Sequence, residues 1–420
     1  MFEFIRNKIC EGVTFSSITD DRFKIGRQSA VLIVPLSYET ASANALLTCV
    51  LARSCKKYPD FTSLSKKLDS LYGASLYPSV QRVGEYQFLT ISASGIEDRY
   101  ALNGESVSME LAKLLSTIIF EPNIIDGKFS ADEVEQERRQ LIETIDSEYN
   151  DKRYYAIKRC TEIMCRDEPY SISRYGTRQQ VEELTLDDIY TAWQRIIRES
   201  RVELTMLGST SPENACEGFS QYFSKMPRTP AVITPVQKKP SEVRHITETE
   251  DLSQSKLVMG FRCQYAKNQQ TFLENSLMSA VLGGTPTSKL FTNVREKQSL
   301  CYYCASSVNS SKGIMVIDSG VETENIEKTE FAVMEQLEML KRGIISDEEL
   351  QNAKLAVKNS LMSSLDSLAA MQSYYIGGIL LEDNSSPIEA AKIVEKISKE
   401  RIVEMAQKVE LDTVFSLVGN

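Results

Sequence analysis

One eight-residue pattern occurs twice in the chain, first as Asn44-Ala-Leu-Leu-Thr-Cys-Val-Leu51 and again as Asn275-Ser-Leu-Met-Ser-Ala-Val-Leu282. Three more pairs of segments match in the same order and at similar offsets: Gln28-Ser-Ala-Val-Leu32 with Gln254-Ser-Lys-Leu-Val258, Phe129-Ser-Ala-Asp-Glu-Val134 with Ile345-Ser-Asp-Glu-Glu-Leu350, and Val202-Glu-Leu-Thr-Met-Leu-Gly208 with Thr413-Val-Phe-Ser-Leu-Val-Gly419. One short match can arise by chance, whereas four in register indicate a duplicated unit. The sequence therefore predicts two homologous halves.

The length and the proline distribution place a boundary between these halves. The chain has 420 residues, which suits at least two domains, because single domains usually hold about 100–200 residues. The stretch 227–240 carries four of the twelve prolines. Proline removes a backbone donor and interrupts regular elements, so we predict an exposed linker there. The predicted halves are then 1–226 and 241–420.

Each half shows the same order of patterns. An apolar run comes first (30–36 and 256–261), a helix follows (43–53 and 271–282), and alternating stretches typical of strands come next (85–94 and 313–321). Capping boxes at Ser130 with Glu133 and at Ser346 with Glu349 open long helical patterns, roughly 131–167 and 347–371. Strands grouped between clustered helices predict an α+β fold, in which each half is a mixed β-sheet with helices mainly on one face.

Composition narrows the class of protein. Hydrophobic residues make up 42% and charged residues 25%, as in ordinary soluble globular proteins. The net charge of −10 argues against nucleic acid or an anionic membrane as the main partner, because both attract basic surfaces. Charges at Glu3, Arg6, Lys8 and Glu11 interrupt the apolar residues of the amino terminus, so we expect no signal peptide. Nine cysteines, an odd number spread along the chain, indicate reduced thiols and a cytoplasmic protein.

A second informative segment follows the Gly283-Gly284 break and has the sequence Ser288-Lys-Leu-Phe-Thr-Asn-Val-Arg-Glu-Lys-Gln-Ser-Leu-Cys-Tyr302. It resembles the signature in the carboxy-terminal half of pitrilysin and mitochondrial-processing-peptidase relatives. In that family an Arg-Glu-Lys helix end leads through a short turn to Leu-x-Tyr on a strand. Arg295 and Tyr302 stand at the family's Arg and Tyr positions.

The resemblance extends over nearly the whole chain, including Tyr175-Gly-Thr177 before a predicted helix and the last strand of each half. It implies the LuxS/MPP-like metallohydrolase fold. Within the family, the chain is most similar to the small bacterial non-catalytic members. One of these is associated with aminopentanol modification of elongation factor P.

Catalytic members of this family carry His-x-x-Glu-His on the first helix, where two imidazoles hold zinc and the Glu activates a water molecule. The resemblance places Ala45, Thr48 and Cys49 at these positions and Thr144 at the third ligand. The whole chain holds one histidine, His245, so a site that needs two imidazoles cannot form. We therefore expect this chain to bind no metal and to have no catalytic residue in isolation.

Cysteine chemistry offers two alternatives. Cys49 stands at a former His position, but Ala45 supplies no ligand and structural zinc takes four, so we interpret Cys49 as a buried apolar thiol. Cys301 and Cys304 form a C-x-x-C motif. Redox use of that motif favours a helix amino terminus, whereas these residues match a strand, in which successive side chains alternate faces. His245 lies among polar residues and is predicted to be an exposed strand residue.

Arg295 and Tyr302 also have two interpretations. An Arg at a helix end pairs with carbonyl groups, and a Tyr on a strand can simply pack. The resemblance favours function instead, because a phenol and a guanidinium are suitable donors to the oxyanion that develops during peptide hydrolysis.

In the family, the zinc site and the Arg/Tyr pair come from different halves and face one another across a closed chamber. Small bacterial members often divide the two between separate chains. The resemblance thus implies a non-catalytic subunit of a heterodimeric zinc peptidase, whose homologous partner carries His-x-x-Glu-His and the zinc. The peptide substrate is expected to bind as an added strand at a sheet edge. For the chain alone, a two-fold-symmetric homodimer stays open.

Two other classes of function remain. In the first, the chain is a binding or scaffold protein, for example in elongation factor P modification, and needs neither zinc nor hydrolysis. In the second, the chain is an enzyme that uses its cysteines, and function is lost on substitution of Cys301 or Cys304.

Overall fold

The structure, a computed structural model, describes residues 3–225, 228–232, 235–240, 242–381 and 383–419. The chain divides into two compact units. Unit 1 comprises Met1–Asp146 and Ile172–Thr234, and unit 2 comprises Ser147–Ser171 and Pro235–Asn420. Each unit has a mixed β-sheet and a hydrophobic core of its own, so the predicted α+β fold class is confirmed.

In both units, groups of one to three consecutive strands are separated by helices. In chain order the strands are β1 (Glu3–Cys10), β2 (Val13–Thr19), β3 (Ile25–Pro35), β4 (Ser75–Val83), β5 (Tyr86–Ile96), β6 (Ile124–Ile125), β7 (Lys128–Phe129), β8 (Arg201–Gly208), β9 (Arg244–Glu250), β10 (Ser255–Arg262), β11 (Cys301–Asn309), β12 (Ile314–Val321) and β13 (Glu410–Gly419). The α-helices are α1 (Ala41–Leu51), α2 (Phe61–Ser70), α3 (Val107–Phe120), α4 (Ala131–Asn150), α5 (Lys152–Met164), α6 (Arg178–Glu183), α7 (Leu186–Glu199), α8 (Glu213–Phe223), α9 (Gln269–Ser279), α10 (Ile326–Lys341), α11 (Asp347–Ser363), α12 (Leu368–Ile379), α13 (Pro387–Lys396) and α14 (Lys399–Gln407). Two π-helical segments, Ala280–Gly284 and Leu290–Lys297, lie between α9 and β11.

The sheets of the two units share one strand order. Unit 1 has the order β1-β2-β8-β3-β5-β4, and unit 2 has β9-β13-β10-β12-β11. In each unit the last strand in the sequence pairs in parallel with an early strand: β8 with β2 in unit 1, and β13 with β9 in unit 2. The other neighbouring pairs are antiparallel. The duplication seen in the sequence is therefore present in the topology, with β1 as an addition to unit 1.

Both faces of strand β10 in unit 2 are buried, which explains its continuous apolar run. Leu257, Met259 and Phe261 point into the main core of unit 2, which α9 to α14 cover. Val258 points to the other face, where it joins Phe415 in a second cluster against α5. Since strand side chains alternate faces, one strand contributes to two cores.

The segment Ser147–Ser171 lies with unit 2, although the chain on either side of it belongs to unit 1. The predicted helix over 131–167 is in fact α4 and α5, with a break at Asp151. The Asp151 carboxylate accepts hydrogen bonds from the backbone N–H groups of Arg153 and Tyr154, at 3.1 and 3.0 Å. The predicted half 1–226 is one continuous stretch, whereas in the structure Ser147–Ser171 belongs to unit 2.

A buried charge cluster fixes the end of this segment to unit 2; its members are Glu168, Arg244, Arg262, Lys312 and Asp412. Glu168 pairs with Arg262 Nη2 at 2.7 Å and with Lys312 Nζ at 2.6 Å. Asp412 pairs with Arg262 Nε at 2.9 Å and with Arg244 Nη1 at 3.5 Å. Charges removed from water in this way are stable only when paired.

Of the predicted linker 227–240, residues 227, 233 and 234 lie outside the described residues, as does 241, the first residue of the predicted carboxy-terminal half. The described linker residues form no helix or strand and are largely exposed. They are nevertheless anchored. Thr229 N–H donates to Arg198 O at 2.9 Å, and Lys312 Nζ donates to Val236 O at 2.6 Å.

The two predicted capping boxes differ. Ser346 and Glu349 form both reciprocal hydrogen bonds, at 2.8 and 3.1 Å. At the start of α4, Glu133 N–H reaches Ser130 Oγ at 3.5 Å, while the Glu133 side chain accepts a hydrogen bond from Ser54 Oγ at 2.7 Å.

In the described part of the chain, every cysteine is a free thiol. No helix there has the length and apolar character required to cross a bilayer.

Candidate functional site

Tyr302 is the extra residue of a β-bulge at the start of β11. Cys301 pairs with Val321 and Tyr303 with Gly320, so Tyr302 has no partner on β12. A bulge turns the side chain of the additional residue away from its normal direction. The Tyr302 side chain is accordingly 58% exposed, although it stands between residues that are buried or half-buried.

Arg295 lies close to Tyr302 because a tight turn joins the π-helical segment Leu290–Lys297 to β11. Ser299 has a positive φ of 53°, and Leu300 N–H donates back to Val294 O at 3.2 Å. The turn lets Arg295 Nε donate to the backbone O of Tyr302 at 2.8 Å. The guanidinium also lies 4.4 Å from the centre of the Phe291 ring, which fixes its plane.

Arg295 and Tyr302 line one open pocket of about 600 Å³ in unit 2. The lining residues are Arg295, Glu296, Ser299, Leu300, Cys301, Tyr302, Glu322 and Asn325. The Tyr302 hydroxyl donates to Glu322 Oε1 at 2.5 Å. This hydrogen bond, together with the negative charge of Glu322, raises the pKa of Tyr302. At neutral pH Tyr302 is therefore a protonated donor.

Regular alternation predicts that Cys301 and Cys304 of the C-x-x-C motif lie on opposite faces of the strand. In the structure they lie on the same face. Because the bulge at Tyr302 adds one residue between them, both Cys301 and Cys304 are buried in the main core of unit 2. Contact between the two thiols lowers the pKa of Cys301 and raises that of Cys304. The motif is still on a strand, away from any helix amino terminus.

The residues that the resemblance places at the zinc motif, Ala45, Thr48 and Cys49, lie on α1 in unit 1. The Ala45 methyl group is fully buried in the core. Thr48 Oγ1 donates to Asn44 O at 2.7 Å, which leaves the hydroxyl engaged with the helix backbone. Burial, with a smaller effect of Glu137, raises the pKa of Cys49 to about 12, so this thiol stays protonated.

The buried acid that faces α1 is Glu137 on α4. Glu137 Oε1 lies 3.4 Å from Arg53 Nε, and burial raises the pKa of its carboxyl group. Thr144 lies two turns further along α4, is exposed, and donates to Gln140 O at 2.9 Å. Within the described ranges, no group of three or more His, Cys, Asp or Glu side chains could hold a metal ion.

His245, predicted to be an exposed strand residue, lies on β9 with 59% of its side chain exposed. Its Nε2 atom is 3.0 Å from Glu330 Oε1. This contact lies on the surface of unit 2, and neither residue lines the pocket of Arg295 and Tyr302.

Two parts of the site have no signal in the sequence. The bulge needs the pairing of β11 with β12 before it can be recognised. Glu322 is twenty residues from Tyr302 and follows an unremarkable apolar strand. Only the register of the two strands brings its carboxylate to the phenol.

A duplicated mixed-sheet fold with Arg295 and Tyr302 at an open pocket points to a class of protein, the homologues of zinc peptidases. Comparison with known families agrees, since the Peptidase M16 inactive domain matches residues 183–357. The chain is therefore similar to inactive homologues of the M16, or pitrilysin-like, peptidase family.

Other known proteins are similar to this chain over nearly its whole length. The probable inactive metalloprotease YmfF of Bacillus subtilis (strain 168) is 28% identical over 97% of this chain and 96% of its own length. The crystal structure of a conserved protein from Enterococcus faecalis V583 has a TM-score of 0.91 and 27% identity, and 99% of each chain is covered. The structure of a peptidase M16 inactive domain from Pseudomonas fluorescens shares the fold, with a TM-score of 0.77, 17% identity and coverage of 99% and 98%.

Proposed function

We propose that this chain is the non-catalytic subunit of a heterodimeric zinc peptidase. In this proposal a homologous partner carries His-x-x-Glu-His and the zinc, and this chain donates Arg295 and Tyr302 to the partner's active site. The observation that carries the proposal is the contrast between the two sites. At the positions that the resemblance assigns to the zinc motif stand a buried methyl group, an engaged hydroxyl and a protonated thiol, whereas Arg295 and Tyr302 are held at an open pocket.

The chemistry of the pair suits this role. Hydrolysis of a peptide bond passes through a tetrahedral intermediate, whose oxygen carries negative charge. Tyr302 offers a phenol O–H that its raised pKa keeps protonated, and Arg295 offers a fixed positive charge. For Tyr302 to act, its hydroxyl must exchange the Glu322 carboxylate for an oxygen of the substrate. Since a hydrogen bond is exchanged rather than lost, this step costs little.

The substrate in this proposal is a peptide enclosed by the two subunits and bound as an added strand. Strand β11, which begins next to Tyr302, is the terminal strand of its sheet. The terminal strand of a sheet has backbone N–H and C=O groups that an extended peptide can pair with. The free thiols fit a reducing compartment, so we place the complex in the cytoplasm.

The test begins with co-purification of the tagged chain from its native host, followed by reconstitution with any recovered homologue that carries His-x-x-Glu-His. Tyr302→Phe should lower the peptidase rate of the mixture about 100-fold, the usual effect of removing one oxyanion donor. The matched control is Tyr303→Phe, because the Tyr303 hydroxyl is buried without a hydrogen-bond partner among the described residues. Equal rates for the two variants would show that Tyr302 has no part in the reaction.

The alternative is a binding or scaffold role, for example in elongation factor P modification. The hydrogen bond from Tyr302 to Glu322 favours it, because the hydroxyl already has an acceptor within this chain. In that case the chain is recovered alone or with an unrelated protein, and Tyr302→Phe has no effect on the function of the complex.

A further inference from the structure

A second open pocket, of about 430 Å³, lies in unit 2 at one end of the five-stranded sheet. Strand β10 ends there at Arg262, opposite Ile314 at the start of β12 and Glu410 at the start of β13. The linker segment 237–239 forms another side of the pocket. The site is remote in sequence from Arg295 and Tyr302, and no residue lines both pockets.

The charge of this pocket is opposite to that of the whole chain. The chain has a net charge of −10. The titratable side chains along the pocket other than Cys263 and Tyr265 are Lys238, Lys239, Arg262, Lys312, Lys408 and Glu410. Lys312 is fully buried and Arg262 nearly so, and both are paired with buried carboxylates, so the exposed charges are three lysines and Glu410. A concave surface focuses the field of the three lysines on whatever enters it.

Paired charges lie at the base of the pocket. Arg262 and Lys312 belong to the buried charge cluster, in which three cations share the two carboxylates of Glu168 and Asp412. The Glu168 and Asp412 side chains are each only 1% exposed. Because water screens buried charges poorly, the buried cations of this cluster contribute to the field in the pocket together with their carboxylates.

Three lysines at the opening add to this charge and are free to bind. Lys238, Lys239 and Lys408 are exposed, and none of them forms an ion pair with a carboxylate of the described chain. The hydrogen bond from Lys312 Nζ to Val236 O, at 2.6 Å, holds the linker two residues before Lys238. The buried cluster thus also positions two of the three ammonium groups.

We propose that this pocket binds a small molecule that carries two or more phosphate groups. Ammonium groups bind phosphate well as point charges, and several of them can share the oxygens of one polyphosphate. A pocket of this volume falls in the usual range for small-molecule sites, so it has room for an organic part besides the phosphates. The proposal does not depend on a peptidase partner, because every lining residue belongs to this chain.

Isothermal titration calorimetry of the full chain with inorganic tripolyphosphate tests the proposal. We expect saturable binding that weakens as the salt concentration is raised, because exposed ammonium groups are screened. The double variant Lys238→Gln/Lys239→Gln should raise the dissociation constant at least roughly tenfold, since each charge-assisted contact contributes strongly. Both lysines are exposed, so the variant should unfold at the same temperature as the wild type.

The control is Lys328→Gln/Lys392→Gln, which changes the net charge equally and removes two exposed lysines on helices of the same unit. This variant should bind tripolyphosphate like the wild type. Absence of binding by the wild type overturns the proposal, as does an equal loss of affinity in both double variants. Equal affinity for citrate overturns the assignment to phosphate, because citrate carries a smaller negative charge, on carboxylates alone.

Discussion

Replacement of Glu168 by Gln tests the buried charge cluster and, with it, the placement of Ser147–Ser171 in unit 2. The Glu168 side chain is 1% exposed, and its two oxygens pair with Arg262 and Lys312, which are 10% and 0% exposed. Glutamine keeps the shape and one acceptor but removes the negative charge. Two buried cations are then left with insufficient compensation.

The expected cost follows from this geometry. Removing one partner of a buried ion pair costs about 3–5 kcal/mol. Because Arg262 keeps its contacts with Asp412 and with Met164 O, we expect a value near the lower limit, about 3 kcal/mol. For a unit of roughly 200 residues, this lowers the unfolding temperature by roughly 6–12 °C.

Differential scanning calorimetry of the full chain measures the effect. The control is Glu338→Gln on α10, whose carboxylate is 56% exposed and pairs with Lys341 at 2.8 Å. An exposed pair of this kind contributes about 0.2–1 kcal/mol, so the control should change the unfolding temperature little. In the double variant Glu168→Gln/Lys312→Met, charge balance returns and part of the stability should be recovered. If Glu168→Gln and Glu338→Gln unfold at the same temperature, the cluster does not stabilise unit 2 as argued.

Two further predictions concern packing and pH. A Cβ atom at Gly260 would lie 2.9 Å from Met164 Sδ and 3.1 Å from Cys160 Sγ. Gly260→Val should therefore lower the free energy of unfolding, measured in urea, by about 1–3 kcal/mol, and Gly260→Ala should lower it by less. If neither variant loses stability, α5 does not pack on β10 as described. Burial raises the pKa of Glu137 in the folded state, so folding takes up protons and the ionised carboxylate reduces stability at neutral pH. The stability of Glu137→Gln relative to the wild type should therefore increase as the pH rises from 4 to 7 in thermal unfolding, and a difference that is constant with pH would exclude this origin.

The sequence carries the main features of the fold because they depend on local patterns. The periodicity of apolar residues and the capping residues predict most strands and helices. The four matched pairs of segments predict the duplication that is seen in the strand order of the two sheets. The break at Asp151 was missed because helical patterns on both sides of it run on without proline or glycine. Only the side-chain cap of Asp151 on the backbone of α5 shows where one helix ends and the next begins.

For the site, the sequence by itself excludes a zinc centre of the His-x-x-Glu-His type, because one histidine cannot supply two imidazole ligands in any fold. It also singled out Arg295 and Tyr302. Tertiary structure decided the rest: the bulge that exposes Tyr302, its contact with Glu322, and the buried charge cluster beneath the second pocket. These features join residues that lie far apart in the chain. Their contacts depend on strand register and on the exchange of one segment between units, which no local pattern records.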